Sequence, residues 1–186
     1  IMMIQQFGPK SMDDIEATYA ADVFHTILSL PSSRFQKNLV ESGLAYQAGS
    51  SYQTLKHVGP ITTFFVPNPA QMTEAISALE AEVALWDTDD YFTDAQIAAA
   101  KNQLKIQDVY SRESTSDFVH SITFWWASAT IDYYLGYIDN LQKVTRDDMK
   151  KYVKEYVHGN PNITGILVSP AMKESMDISS IKPVSM

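Results

Sequence analysis

Apolar and polar positions alternate along this chain in two rhythms, and the rhythm changes at proline and glycine. Residues 1–7 mix apolar side chains with Gln5 and Gln6 and read as a strand that stops at Gly8-Pro9. Ser11-Met12-Asp13-Asp14 resembles a capping box, with carboxylates in the first turn where the helix dipole favours them. Ile15, Tyr19, Val23, Phe24, Ile27 and Leu28 follow at three- and four-residue spacing, which predicts a helix with one apolar face ending near Leu30-Pro31. Ser32-Ser33 suits the cap of a second, short helix through Phe35, Leu39 and Val40. Gly43 fits the position just past its end, where a left-handed residue without a Cβ stops a helix. Residues 44–55 predict a long strand with a bulge or bend at Ala48-Gly49, and residues 61–66 a second strand that pairs with it as a hairpin.

After Pro67-Asn68-Pro69 the period becomes helical. Met72, Ala75, Ile76, Leu79 and Val83 form one stripe, ending at Trp86 and an acidic loop that holds Asp87, Asp89 and Asp90. Thr93-Asp94-Ala95-Gln96 is a further capping box and opens a helix through Ile97, Ala100, Leu104 and Ile106, with a break or bend between residues 111 and 117. Residues 118–131 are strongly apolar and aromatic and predict a helix, followed by a short one through Tyr133, Tyr134, Leu135, Tyr137, Ile138 and Leu141. Thr145-Arg146-Asp147-Asp148 caps a helix carrying Met149, Tyr152, Val153, Tyr156 and Val157, and residues 163–168 read as a closing strand. Grouped helices with hairpin strands predict an α+β layered domain, helices packed on a mainly antiparallel sheet. The expectation is a single domain over residues 1–170 and a peripheral tail over 171–186.

A chain of 186 residues, 45% hydrophobic and 11% aromatic, can bury a core without staples. Its net charge of −8, with 14 basic residues scattered along it, argues against nucleic acid as a partner. The absence of cysteine excludes disulfides, thiolate metal sites and a Cys nucleophile together. No apolar run approaches the length of a membrane span. The opening Ile1, inside an apolar run and without a signal-peptide layout, reads as an internal cut in a longer polypeptide.

Candidate chemistry is sparse. His25, His57, His120 and His158 are the only histidines, no two lie within one helical turn, and neither H-x-x-E-H nor H-E-x-x-H occurs. There is no G-x-S-x-G elbow and no glycine-rich phosphate loop among seven glycines. The acidic loop lacks the spacing and the glycine of a calcium hand and reads as solvated. Trp125, Trp126 and the tyrosines at 133–137 read as core and interface aromatics, with an apolar groove as the other reading.

One stretch adds information. Ser32-Ser33-Arg34-Phe35, a short amphipathic run and then Gly43-Leu44-Ala45-Tyr46 resemble the second-domain motif of the pitrilysin/insulinase family of zinc metallopeptidases, which includes the mitochondrial processing peptidase. Further likenesses follow in family order: Phe65-Val66-Pro67, Thr93 to Ile97 with Ala100-Lys101, Val144 to Asp148, and Ile166 to Pro170. The resemblance covers nearly the whole chain and implies that family's metallohydrolase fold, in its zinc-free C-terminal-type domain.

Members of the family carry tandem homologous domains, the first with zinc and the second without. The second closes over the substrate and contributes an Arg and a Tyr. The resemblance places the Tyr on Tyr46, whose other reading is a packed strand aromatic. The Arg commonly lies seven residues before it, where this chain has Leu39; Arg34 is the nearby candidate, and its other reading is a helix-start surface residue. Tyr46 and Arg34 are thus the candidate substrate-binding residues, with no catalytic residue and no metal ligand assigned. The implied role is noncatalytic: to complete a substrate chamber with a zinc-bearing catalytic domain, on the same polypeptide or a partner subunit, and to hold peptide. A sheet edge could add the peptide as a strand. No cofactor is expected in this chain, and the zinc belongs to the partner domain. The alternative is a structural or assembly subunit of the same fold, like the core proteins of the respiratory cytochrome bc complex. A dimer is compatible with the resemblance, and bacterial members are often periplasmic or envelope proteins.

Overall fold

In the first strand, β1 (Met2–Phe7), Met2, Ile4 and Gln6 turn inward while Met3, Gln5 and Phe7 face out, the period of two that a half-buried strand requires. The computed structural model describes residues 1–170, 173, 181 and 184–186. It places β1 in a four-stranded antiparallel sheet with β2 (Ala45–Tyr52), β3 (Pro60–Pro67) and β4 (Ile163–Ile166), in the order β2-β3-β1-β4. Met2 pairs with Phe65, Ile4 with Thr63 and Gln6 with Ile61, so the inward positions of neighbouring strands line up. Polar side chains on the inner face are partly satisfied: Ser50 bonds Thr63 across β2 and β3 at 2.9 Å, and Gln6 donates to the Val157 carbonyl at 2.8 Å, while Gln6 Oε1 makes no hydrogen bond among the described residues.

The helix α1 (Ile15–Ser29) lies on that inner face and is the centre of the core. Val23, Phe24, Ile27 and Leu28 are fully buried along it, with Trp86, Phe92 and Tyr152 packed around Phe24. Around α1 stand α2 (Arg34–Gln36), α3 (Met72–Val83), α4 (Asp94–Ser111), α5 (Thr115–Ser128), α6 (Ile131–Lys143) and α7 (Arg146–Tyr152). The turns after α2 (Lys37–Glu41) and α7 (Val153–Val157) close with the wider π spacing, and a 3₁₀ turn (Pro69–Gln71) precedes α3. The fold is the expected α+β layering of helices on an antiparallel sheet.

Local signals hold at several caps. Thr93 and Thr145 each form the reciprocal box, with Gln96 and Asp148, and Gly43 ends its helix at φ +81°. Lys101, from the Ala100-Lys101 motif, donates to the carbonyls of Gln142 and Val144 and so caps the end of α6. The acidic loop is more tightly held than a solvated loop would be: Lys150 bonds Asp89, and Lys154 lies 3.8 Å from Asp87.

Other expectations change. Asp14 alone caps α1, accepting from the Ala17 amide, while Ser11 turns away to bond the Ser128 carbonyl. The helix expected over 118–131 ends sooner, at Ser128, because Ala129 leaves helical geometry, and the short helix expected after it, α6, already starts at Ile131 under a Thr130 cap. The expected bulge at Ala48-Gly49 is absent: both residues pair regularly with Phe65 and Phe64. Gly49 serves a different need, since a Cβ there would lie 2.2 Å from the Phe64 ring that crosses over it. The final strand ends at Ile166, although Leu167 exchanges both backbone bonds with Ile1. The expectation of a peripheral tail over 171–186 falls largely outside the described residues; of those described, Val184 is buried in the core.

Candidate functional site

The bulge in β2 belongs to Tyr46. Pairing steps from Ala45 with Pro67 to Gln47 with Val66, which leaves Tyr46 as the extra residue on its strand. A bulge re-aims the side chain at that point, and Tyr46 and Gln47 are accordingly both exposed in succession. Tyr46 is 63% exposed, and its hydroxyl has no hydrogen-bond partner among the described residues.

Beside it opens an apolar cleft of about 500 Å³ across one end of the sheet. The start of β1 (Ile1, Met2), the end of β3 (Val66, Pro67) and the segment after β4 (Leu167) line it, together with Met72 from the start of α3. Among the described residues no charged side chain lines it. Its volume lies within the roughly 300–1,000 Å³ typical of ligand clefts. The described lining offers apolar burial with the Tyr46 phenol beside it, which suits an extended or apolar group.

Arg34 is engaged elsewhere. Its Nε lies 3.4 Å from Glu82 Oε1, and its guanidinium stands 5.7 Å from the Tyr91 ring centroid. Glu82 is buried and also accepts from Asn38 and from the Tyr91 hydroxyl, each at 2.6 Å. Burial, with the Glu82 carboxylate next in weight, drives the Tyr91 hydroxyl well above the usual phenol range. Arg34 thus neutralises a buried carboxylate that ties α2 to α3, and it is not among the residues lining the cleft with Tyr46. Leu39, seven residues before Tyr46, is fully buried in the core.

The histidines do not converge. His25 is buried on α1 and shares a 2.8 Å hydrogen bond with the Tyr152 hydroxyl; burial holds its pKa down to about 3. His158 bonds the Val83 carbonyl, and His57 and His120 lie on the surface. Among the described residues no group of three or more His, Asp or Glu could hold a metal ion. The described residues do not assemble a set that fits zinc.

Sequence reasoning missed two things. Asp22, on α1, accepts from the Tyr137 hydroxyl at 2.7 Å, and burial pushes its carboxyl up to about 7. The signal was an aspartate flanked by apolar helix positions. The second is the cleft itself, which residues far apart in sequence create and no local pattern announces.

The profile of the family described as Peptidase M16 inactive domain matches residues 1–104, and the chain belongs to that family. No curated protein matches it. Among solved structures, a protease from Helicobacter pylori superposes with a TM-score of 0.77 at 20% identity, over 88% of this chain and 40% of that one. The inactive peptidase domain of a Bordetella parapertussis protein, provisionally described as a zinc protease, superposes with a TM-score of 0.77 at 16% identity, over 90% of each chain. This chain therefore spans about 40% of the Helicobacter chain and nearly all of the Bordetella domain. At these identities the likeness establishes the fold.

Proposed function

We propose that this chain is the noncatalytic half of a zinc peptidase, closing a substrate chamber against a separate H-x-x-E-H domain and holding peptide at the cleft beside Tyr46. The observation that supports this reading is the β2 bulge, which exposes Tyr46, with no hydrogen bond to its hydroxyl among the described residues, beside an apolar cleft of about 500 Å³ in a domain of the inactive M16 family. An extended peptide offers what such a site can use: apolar side chains for the cleft and backbone groups for the Tyr46 hydroxyl. The zinc and the water it activates belong to the partner domain. Tyr46 is the residue assigned to touch the peptide. Arg34, bonded to Glu82, supports the α2–α3 corner, and a substrate contact by Arg34 would require it to leave that ion pair.

Cross-linking tests the assignment. An extended peptide bearing a photoreactive phenylalanine, incubated with the chain, should label Tyr46, Val66, Met72 or Leu167. Labelling confined to other surfaces, unaffected by Tyr46→Ala, would overturn it.

A further inference from the structure

The hairpin of α4 and α5 is built unlike the rest of the molecule. Ala100 is the one buried residue of α4 and Ser128 the one buried residue of α5, although α5 is rich in large apolar side chains. The side of each helix that meets the body is clear. On α4, Asp108 pairs with Arg112, whose guanidinium lies over the Tyr134 ring of α6. On α5, Trp125 stacks on Tyr133.

The opposite sides are apolar and face solvent. Ile106, Val109 and Tyr110 are exposed on α4. On α5, Val119, Thr123, Trp126 and Ala127 recur at i, i+4, i+7 and i+8 on the outward side, and Trp126 is 72% exposed. The only charged residue of α5 is Asp117, in a chain with net charge −8. A solvent-facing helix side without charge is the mark of a surface that is covered in the assembled protein.

We propose that the outward face of the α4–α5 hairpin is the surface that docks against the zinc-bearing domain; this rests on the reading given under Proposed function. Two observations choose that occupant. The match to the Helicobacter chain covers 88% of this chain but only 40% of that one, so a relative of this fold has further polypeptide available to pack against such a face. A second copy of this chain would instead bring one net charge of −8 against another, an unfavourable approach. The partner surface is expected to be apolar, with an aromatic-sized recess for Trp126, the kind of anchor that dominates interface energetics.

The test measures association between this chain and the H-x-x-E-H domain of the same peptidase, comparing wild type with Trp126→Glu and with Val109→Glu/Tyr110→Glu. All three positions are exposed, so thermal melting of the isolated variants should be unchanged. The expected result is a monomeric chain that binds the zinc-bearing domain, binds it at least tenfold more weakly in each variant, and gains hydrogen-exchange protection in α5 on mixing. Normal association of both variants would overturn the inference and leave the chamber-closing role standing. Self-association of the chain alone, abolished by Trp126→Glu, would overturn it in favour of a second copy. Failure of the wild-type halves to associate at all would overturn the chamber-closing role, and this inference with it.

Discussion

The Tyr46 hydroxyl makes no hydrogen bond among the described residues, so removing it probes function without loosening the fold. Tyr46→Phe should leave urea stability within about 0.5 kcal/mol of wild type. In the pair reconstituted with the catalytic domain it should lower kcat/KM by roughly tenfold, the worth of about one hydrogen bond to substrate. Glu82 is the opposite case, because it is buried and holds Arg34, Asn38 and Tyr91 together. Glu82→Ala leaves those partners unsatisfied and should cost about 2–4 kcal/mol in urea unfolding. Arg34→Ala, whose side chain is 43% exposed, should cost about 1 kcal/mol or less. Tyr46 and Arg34 could be singled out as candidates from the Gly-Leu-Ala-Tyr and Ser-Ser-Arg-Phe stretches. The pairing of Arg34 with Glu82 could not be read, because Glu82 lies far along the chain from Arg34 and only the fold brings them together.

Among the elements, β2 shows where local pattern stops being informative. Ala48-Gly49 carried the usual signature of a bulge, yet the extra residue is Tyr46, and Gly49 is small because the Phe64 ring lies over it. A glycine inside a strand reports either irregularity or close approach, and only the partner strand distinguishes them. Gly49→Ala should therefore destabilise by about 1–2 kcal/mol, with the loss reduced in the Gly49→Ala/Phe64→Ala double variant, as a double-mutant cycle in urea would read. Helix starts were legible because their chemistry is local: Thr93 and Thr145 bond residues three positions on. That a second helix follows the aromatic run was legible, but the place of the break was not, since only the small polar Ser128 and Thr130 flank Ala129 there.

For the whole molecule, the buried His25 and the half-buried Asp22, both on α1, set opposing pH dependences. His25 titrates near 3 when folded against an ordinary 6.5, so its contribution is intact above about 6.5 and is lost as pH falls towards 3. Asp22 titrates near 7 when folded against an ordinary 3.8, so its contribution is fully present below about 3.8 and is lost as pH rises towards 7. Between about pH 4 and 6.5 the two slopes oppose. Asp22→Asn should make urea stability fall more steeply on acidification through that window, whereas His25→Phe should make stability rise. The α+β layering was legible because helical and strand periods are long and separate in this sequence, and the missing zinc motif was legible outright. The cleft was not, since it joins Ile1, Tyr46, Met72 and Leu167 from four separate parts of the chain. The central claim is that this domain completes a peptidase whose chemistry lies elsewhere. The most direct test is to measure bound zinc and peptide hydrolysis for the chain alone, the H-x-x-E-H domain alone and the two mixed. The account predicts no stoichiometric zinc and no hydrolysis by this chain alone, and a marked gain in hydrolysis on mixing; zinc bound at one equivalent, or hydrolysis by the chain alone, would contradict it.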